Sequence, residues 1–335
     1  MVWLFGASCR SNARLDGKRA VVTGANTGIG KETALDLAAR GCRVVLAVRD
    51  TAKGERAAAD IRKKLSSKRR ANLAVGEVTV EHLDLASLKS VRACALRLLN
   101  SEEPAIHILI NNAGVMACPK AYTEDGHDLQ FGVNHLGHFL LTTLLLPRLR
   151  ASAGTTADGE PDPARVVNVS SVAYSFSRID FEDLRFEHGY RPLLAYSRSK
   201  LANMLFTREL ANRLKEHSTP GVTSYCVHPG VVATELFEHF DTFIIPGTKF
   251  FLDNVGRFFI KTPRQGAQTS LYCAVSRTAA HQSGLYYVDC SVSTPFAIGR
   301  DDEAAKRLWD VSCELVGLRG YDPLGTEDPP TSLFT

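Results

Sequence analysis

From residue 18 to about 288, short and nearly continuous apolar runs alternate with stretches whose apolar residues recur every three or four positions. The runs predict strands at 19–23, 43–48, 78–83, 106–111, 165–169, 222–227 and 285–288. Several contain almost only aliphatic residues, the pattern of parallel strands covered by helices on both faces. The periodic stretches predict helices at about 29–40, 51–65, 87–100, 135–150, 196–217 and 264–276. Strand, helix, strand repeated in this way implies right-handed crossovers. The expected fold class is therefore α/β: a single doubly wound parallel sheet of about seven strands with helices on both faces.

Two insertions break the rhythm. Residues 151–163 (ASAGTTADGEPDP) read as a turn-rich surface loop without core-forming residues. Residues 236–262 hold Phe237, Phe240, Phe243, Phe250, Phe251, Phe258 and Phe259. They read either as a small helical subdomain with its own core or as an apolar lid over a lipid-like substrate. The expected organisation is a short N-terminal segment (1–16), one domain (17–318) that includes the insertion at 236–262, and a Pro-rich flexible tail (319–335). No internal repeat is present.

Bulk chemistry narrows the function class. The formal net charge of +4 is small and spread along the chain, which argues against a nucleic-acid partner. The densest basic stretch, 62–70 (RKKLSSKRR), reads as the end of a helix entering a solvated loop. Eight cysteines occur without a CxxC pair, several of them in apolar runs. That fits a reducing compartment, and neither a disulfide framework nor a metal site is expected. The start, MVWLFGASCR, is too short for a secretory h-region or a spanning helix. The expectation is an intracellular protein without a transmembrane anchor, cytoplasmic or peripherally attached to the endoplasmic reticulum membrane.

The first strand runs into TGANTGIG, with Gly24, Gly28 and Gly30 spaced as G-x-x-x-G-x-G. Glycines permit a sharp turn, let a pyrophosphate approach the backbone, and free a helix N-terminus to attract it. Asn26, Thr27 and Ile29 belong to the same turn. At the end of the second strand, an NAD site carries an acidic residue and an NADP site a cation. Here VVLAVRD offers Val48 and then Arg49, whose forked donors suit a 2′-phosphate. Asp50 reads either as a displaced ribose ligand or as the N-cap of the next helix. NADP(H) is the expected cofactor.

Tyr196 and Lys200, in YSRSK, lie one helical turn apart on one face. An ammonium beside a phenol favours the phenolate, and moving a tyrosine from its ordinary value to about 7 takes roughly 4 kcal/mol. With a second positive charge to help, such a phenol exchanges protons at neutral pH.

TGxxxGxG, NNAG (Asn111, Asn112, Ala113, Gly114), a serine after an apolar strand (Ser171) and YxxxK occur in that order. Together they resemble the short-chain dehydrogenase/reductase family from residue 17 to about 318. Wording such as HILINNAGVM, VNHLGHFLLT, RVVNVSSVA and KLANMLFTREL resembles its retinol dehydrogenase branch. The resemblance implies a Rossmann-type fold. It also implies that Tyr196 is the general acid or base, that Lys200 lowers its pKa and binds the nicotinamide ribose, and that Ser171 hydrogen-bonds the substrate oxygen. Asn134 would hold a water linking Lys200 to solvent.

Cofactor contacts implied in the same way are Asp84 and Leu85 at the adenine, Asn111, Ala113 and Gly114 along the adenosine, and Pro229, Gly230, Val232 and Thr234 around the nicotinamide. Asp84 also reads as a cap for the helix after it. His228 is not expected to be catalytic or a ligand. The gap of 25 residues between Ser171 and Tyr196 (196 − 171) is long for the family, and residues 180–194 supply the extra length. Members of the retinol dehydrogenase branch often carry an N-terminal anchor that this sequence does not show.

The function expected is NADP(H)-dependent interconversion of a hydrophobic alcohol and its aldehyde or ketone, with retinol/retinal leading and reduction the working direction. Rivals are reduction of steroid or lipid-derived carbonyls and a non-catalytic NADP-binding sensor or scaffold. Peripheral membrane contact through the Phe-rich insertion and a homodimer stand as open expectations.

Overall fold

The computed structural model of the chain describes residues 7–67, 74–103, 105–156, 158–217, 221–232, 261–325 and 329–334. Its frame is an eight-stranded sheet ordered β10-β9-β8-β7-β4-β1-β2-β3. These strands are β1 (Arg19–Thr23), β2 (Arg43–Val48), β3 (Val78–His82), β4 (Ile108–Asn111), β7 (Ala164–Val169), β8 (Val222–His228), β9 (Leu285–Val288) and β10 (Ser291–Ser293). All neighbours pair in parallel except β9 and β10. The order reverses between β1 and β4, so the chain leaves a crevice at the carboxyl ends of these strands.

Alternate side chains along each strand serve opposite layers. Val21, Val45, Leu109 and Val166 face one core with α3 (Leu88–Leu99), α5 (Gly137–Ala151), α6 (Pro192–Glu216) and α9 (Asp302–Leu315). Ala20, Val22, Val44, Leu46, Ile108, Ile110 and Val167 face the other, with α1 (Gly28–Ala39), α2 (Thr51–Ser67) and α7 (Pro263–Val275). Two short helices, α4 (Leu129–Phe131) and α8 (Arg277–Ala280), complete the set among the described residues.

The sheet differs from the expected seven strands by one. Asp289 and Cys290 both adopt positive φ, 49° and 58°, which turns β9 back on itself as a tight hairpin and adds β10 at the edge. Three exposed or half-buried residues give no hydrophobic signal for it. The loop expected at 151–163 carries its own two-stranded ribbon, β5 (Gly154–Thr155) with β6 (Pro161–Asp162). Helix α6 begins four residues before the expected 196, because Pro192 starts the helix at a position where its missing N–H costs nothing.

The described residues of the segment 319–335 make definite contacts with the body. Leu324 is buried, and Tyr321, Leu333 and Phe334 pack on the core. Arg150 donates to the carbonyls of Leu324 and Gly325 at 2.5 Å, and Arg92 to that of Leu333. Two cations from the body therefore hold a segment whose prolines suggested disorder. Residues 233–260, which contain Thr234 and nearly all of the Phe-rich insertion, lie outside the described residues.

Candidate active site

The glycine-rich turn sits at the carboxyl end of β1. Gly24 and Gly28 take φ of 64° and 55°, and a Cβ on Gly24 would stand 2.9 Å from the Cα of Ala113. A Cβ on Gly30 would meet the Gly24 carbonyl at 2.5 Å. Backbone therefore approaches backbone with no room for a side chain, and the first turn of α1 carries no acidic residue. This is a cradle for an anion at a helix N-terminus, and the residues present fit a dinucleotide pyrophosphate.

Thr23 and Asn112 hold that turn against the next strand. The Thr23 hydroxyl accepts from the amides of Asn112 (2.9 Å) and Ala113 (3.0 Å), and the Asn112 side chain donates to the Thr23 carbonyl at 2.9 Å. The sequence reading passed over both, although each stands inside a matched motif. Asn111 is used differently. Its buried amide donates to Thr142 and Asn168, so its side chain braces the core while Ala113 and Gly114 present backbone.

Two open readings close at the second and third strands. The Asp50 carboxylate accepts from the amide of Lys53 at 2.9 Å and caps α2, and this bond holds its pKa below the usual range. Arg49 beside it is exposed. Asp84 accepts from Ala86 at 2.9 Å, whereas the cap of α3 is Ser87. Half-buried Asp84 and buried Leu85 thus form the corner after β3. At the other end, a Cβ on Gly266 would touch both Val232 and Ile29, so these two side chains converge beside the glycine-rich turn. Pro229 and Gly230 (φ 92°) follow β8, where Lys261 donates to the Pro229 carbonyl at 3.2 Å.

The catalytic candidates meet beyond this cradle. Ser171 lies two residues past β7, where its hydroxyl caps the 3-10 turn Val172–Phe176 and stands near enough to the Tyr196 phenol to act on its pKa. The adjacent Ser170 turns inward and donates to the Lys200 carbonyl at 2.7 Å. Tyr196 and Lys200 share one face of α6, with the ammonium 5.6 Å from the phenol ring centroid. Asn134 lies in a π-helical turn (Gly132–Leu136) that precedes α5, a distortion frequent at functional sites. Its amide is committed to Val115, which it both accepts from (2.8 Å) and donates to (2.9 Å), and to Ser199. A Cβ on Gly114 would lie 3.0 Å from the Asn134 oxygen and 3.5 Å from the Lys200 nitrogen, so these groups crowd one point.

The electrostatics depart from expectation. Burial pushes Tyr196 up to about 12, opposed only by the Ser171 hydrogen bond, and pushes Lys200 down to about 8. Lys200 donates to the Val169 carbonyl at 3.0 Å, which directs its ammonium to backbone rather than to the phenol oxygen. Within the protein itself, desolvation outweighs the charge that was expected to acidify Tyr196. His228 accepts from the Val172 amide at 3.3 Å and is held near 4 by burial, so it stays neutral.

The sequence that supplies this glycine cradle, serine, tyrosine and lysine matches the family model described as short chain dehydrogenase over residues 18–243. The chain belongs to this family. It is 50% identical over 314 residues to retinol dehydrogenase 12 of Homo sapiens, covering 94% of this chain and 91% of that protein. Among solved structures it resembles an uncharacterized protein of Mycobacterium paratuberculosis (TM-score 0.69, 36% identity, 93% of this chain and 98% of that one). It also resembles the Pseudomonas aeruginosa RhlG/NADP active-site complex (TM-score 0.59, 27% identity, 82% and 94%). This short-chain dehydrogenase is accordingly an oxidoreductase that works with a nicotinamide cofactor. No helix among its described residues is long and apolar enough to cross a membrane.

Proposed function

We propose that the protein is an NADP(H)-dependent oxidoreductase that interconverts retinol and retinal, working chiefly as a retinal reductase. The observation that carries this is the convergence of Ser171, Tyr196 and Lys200 next to the glycine cradle, in a chain half identical to a retinol dehydrogenase over most of its length. The cofactor, when bound, supplies the hydride. Ser171 and the Tyr196 hydroxyl hold the carbonyl oxygen, and Tyr196 donates the proton that completes the alcohol. Burial keeps the phenol protonated in the cofactor-free protein, the form that gives a proton to a carbonyl being reduced; the reductive direction follows from a cofactor pool held mostly as NADPH. Below about pH 8 Lys200 is charged, and it would bind the nicotinamide ribose and turn toward the phenolate only once the cofactor is in place.

The preference for NADP rests on Asp50, whose carboxylate is occupied as a cap, and on Arg49, exposed at the ribose end of β2. The substrate wall supports an apolar ligand, since Met116, Ala117 and Ala173 pack on the Tyr196 ring. The test is NADPH oxidation followed at the nicotinamide absorbance with retinal and a panel of apolar aldehydes and ketosteroids. Tyr196→Phe is expected to abolish turnover while NADPH binding, read by fluorescence, stays within about twofold, since one hydroxyl has left the acid–base step. A wild-type protein that binds NADPH and reduces nothing would mark it as a sensor instead.

A further inference from the structure

The wall facing the catalytic phenol has an unusual backbone. Ala117 is buried and has φ of 49°, a left-handed conformation that costs a residue with a Cβ about 1–2 kcal/mol. With Met116 it packs on the ring of Tyr196. A strained segment persists only where its surroundings over-determine it.

Here the restraint is one side chain and its partner. Gln130, fully buried at the start of α4, accepts from the Ala117 amide at 2.9 Å. Its amide nitrogen donates to the Tyr190 hydroxyl and to the Pro192 carbonyl, both at 2.9 Å. The Tyr190 hydroxyl in turn donates to the Cys118 carbonyl at 2.8 Å. Burial raises the Tyr190 phenol well above its ordinary value, so it remains a donor. Four hydrogen bonds therefore link the strained wall to the first residue of the helix that carries Tyr196 and Lys200.

Tyr190 comes from residues 180–194, the stretch that lengthens the gap between Ser171 and Tyr196. That stretch is fastened to α6 through Arg198, two residues beyond Tyr196. The Arg198 guanidinium lies 3.7 Å from the Phe186 ring centroid and donates to the Asp183 carbonyl, and Phe186 meets Tyr190 edge to face at 5.7 Å. The insertion, the wall and the catalytic helix are thus one hydrogen-bonded unit.

We propose that Gln130 and Tyr190 are positioning residues that set selectivity for the apolar part of the carbonyl substrate, by locking Met116 to Cys118 against Tyr196. The inference rests on the function proposed above and deepens it. A long, stiff apolar substrate needs an immobile wall beside the reacting oxygen. A short aldehyde, anchored only by Ser171 and Tyr196, does not.

The experiment uses the full chain with NADPH and two substrates, retinal and a short aliphatic aldehyde. Tyr190→Phe removes one hydroxyl at little steric cost, and Gln130→Met removes the hub. Each is expected to lower kcat/KM for retinal by about tenfold, the equivalent of one lost hydrogen bond in a buried network. The same ratio for the short aldehyde and KM for NADPH should stay within about twofold. Amide hydrogen exchange over residues 115–118 should quicken in both variants, a readout that needs no turnover. If Gln130→Met fails to fold, Tyr190→Phe alone carries the test. Equal losses for both aldehydes would reduce the pair to general structural support, and unchanged exchange would show that the wall is not held by it. Either result overturns the inference while the function stands. A wild-type chain that reduces neither aldehyde overturns the proposed function, and the inference with it.

Discussion

Lys200 is fully buried and, below about pH 8, charged. An ammonium with its folded pKa depressed from the ordinary lysine value is a liability for the fold: the unfolded chain binds the proton more tightly. The penalty is complete below pH 8 and fades as pH rises toward the ordinary value. Lys200→Met should therefore raise Tm of the cofactor-free protein at pH 7, by a gain that shrinks between pH 8 and 10 and is measurable by calorimetry at a series of pH values. The same substitution should abolish reduction. Arg49 has the opposite character, exposed and without structural duty in the described contacts. Arg49→Ala is expected to lower the preference for NADPH over NADH, as a ratio of kcat/KM, by about tenfold while leaving Tm unchanged. Single residues were the most legible part of the sequence. Ser171, Tyr196 and Lys200 come together because short motifs fix their neighbours along the chain. Gln130 and Tyr190 were invisible because they meet 60 residues apart (190 − 130) through hydrogen bonds that leave no periodic trace.

At the scale of elements, the turn between β1 and α1 is where sequence and geometry agree most tightly. Gly24 needs a positive φ and a backbone contact at once, so no other residue satisfies both demands. Gly24→Ala should cost about 1–2 kcal/mol in strain alone, push the Ala113 backbone away, and weaken cofactor binding by more than tenfold in a fluorescence titration. Strands of continuous aliphatics and the helices between them were readable to within a few residues, whereas α9, which follows the last strands of the sheet, was not expected although its apolar stripe is clear. The π-helical turn carrying Asn134 was not readable, because one extra residue in a fully buried helix leaves the hydrophobic pattern unchanged. Hairpin strand β10 was missed for the contrary reason: its stability comes from a turn conformation and an edge, and neither requires apolar residues.

For the molecule as a whole, the doubly wound order followed from alternation of elements, whereas the fate of the C-terminus did not. Composition gave no sign that Leu324, Leu333 and Phe334 meet apolar surface, or that Arg92 and Arg150 meet carbonyls of this segment. Removing residues 319–335 should lower Tm by at least about 3 °C, since burial of Leu324 alone contributes about 2 kcal/mol. The truncated protein should retain KM for NADPH, as the tail packs on α3 and α5 away from the glycine turn.

Lys261 offers a consequence of another kind. It bridges in parallel to Val232 and makes an ion pair with Asp289 at 2.5 Å, so the chain departs at 232 and is fastened again at 261 on the same spot. A buckle of this kind is closed by its own two ends, so the register of β8 against β9 does not depend on which residues join 232 to 261.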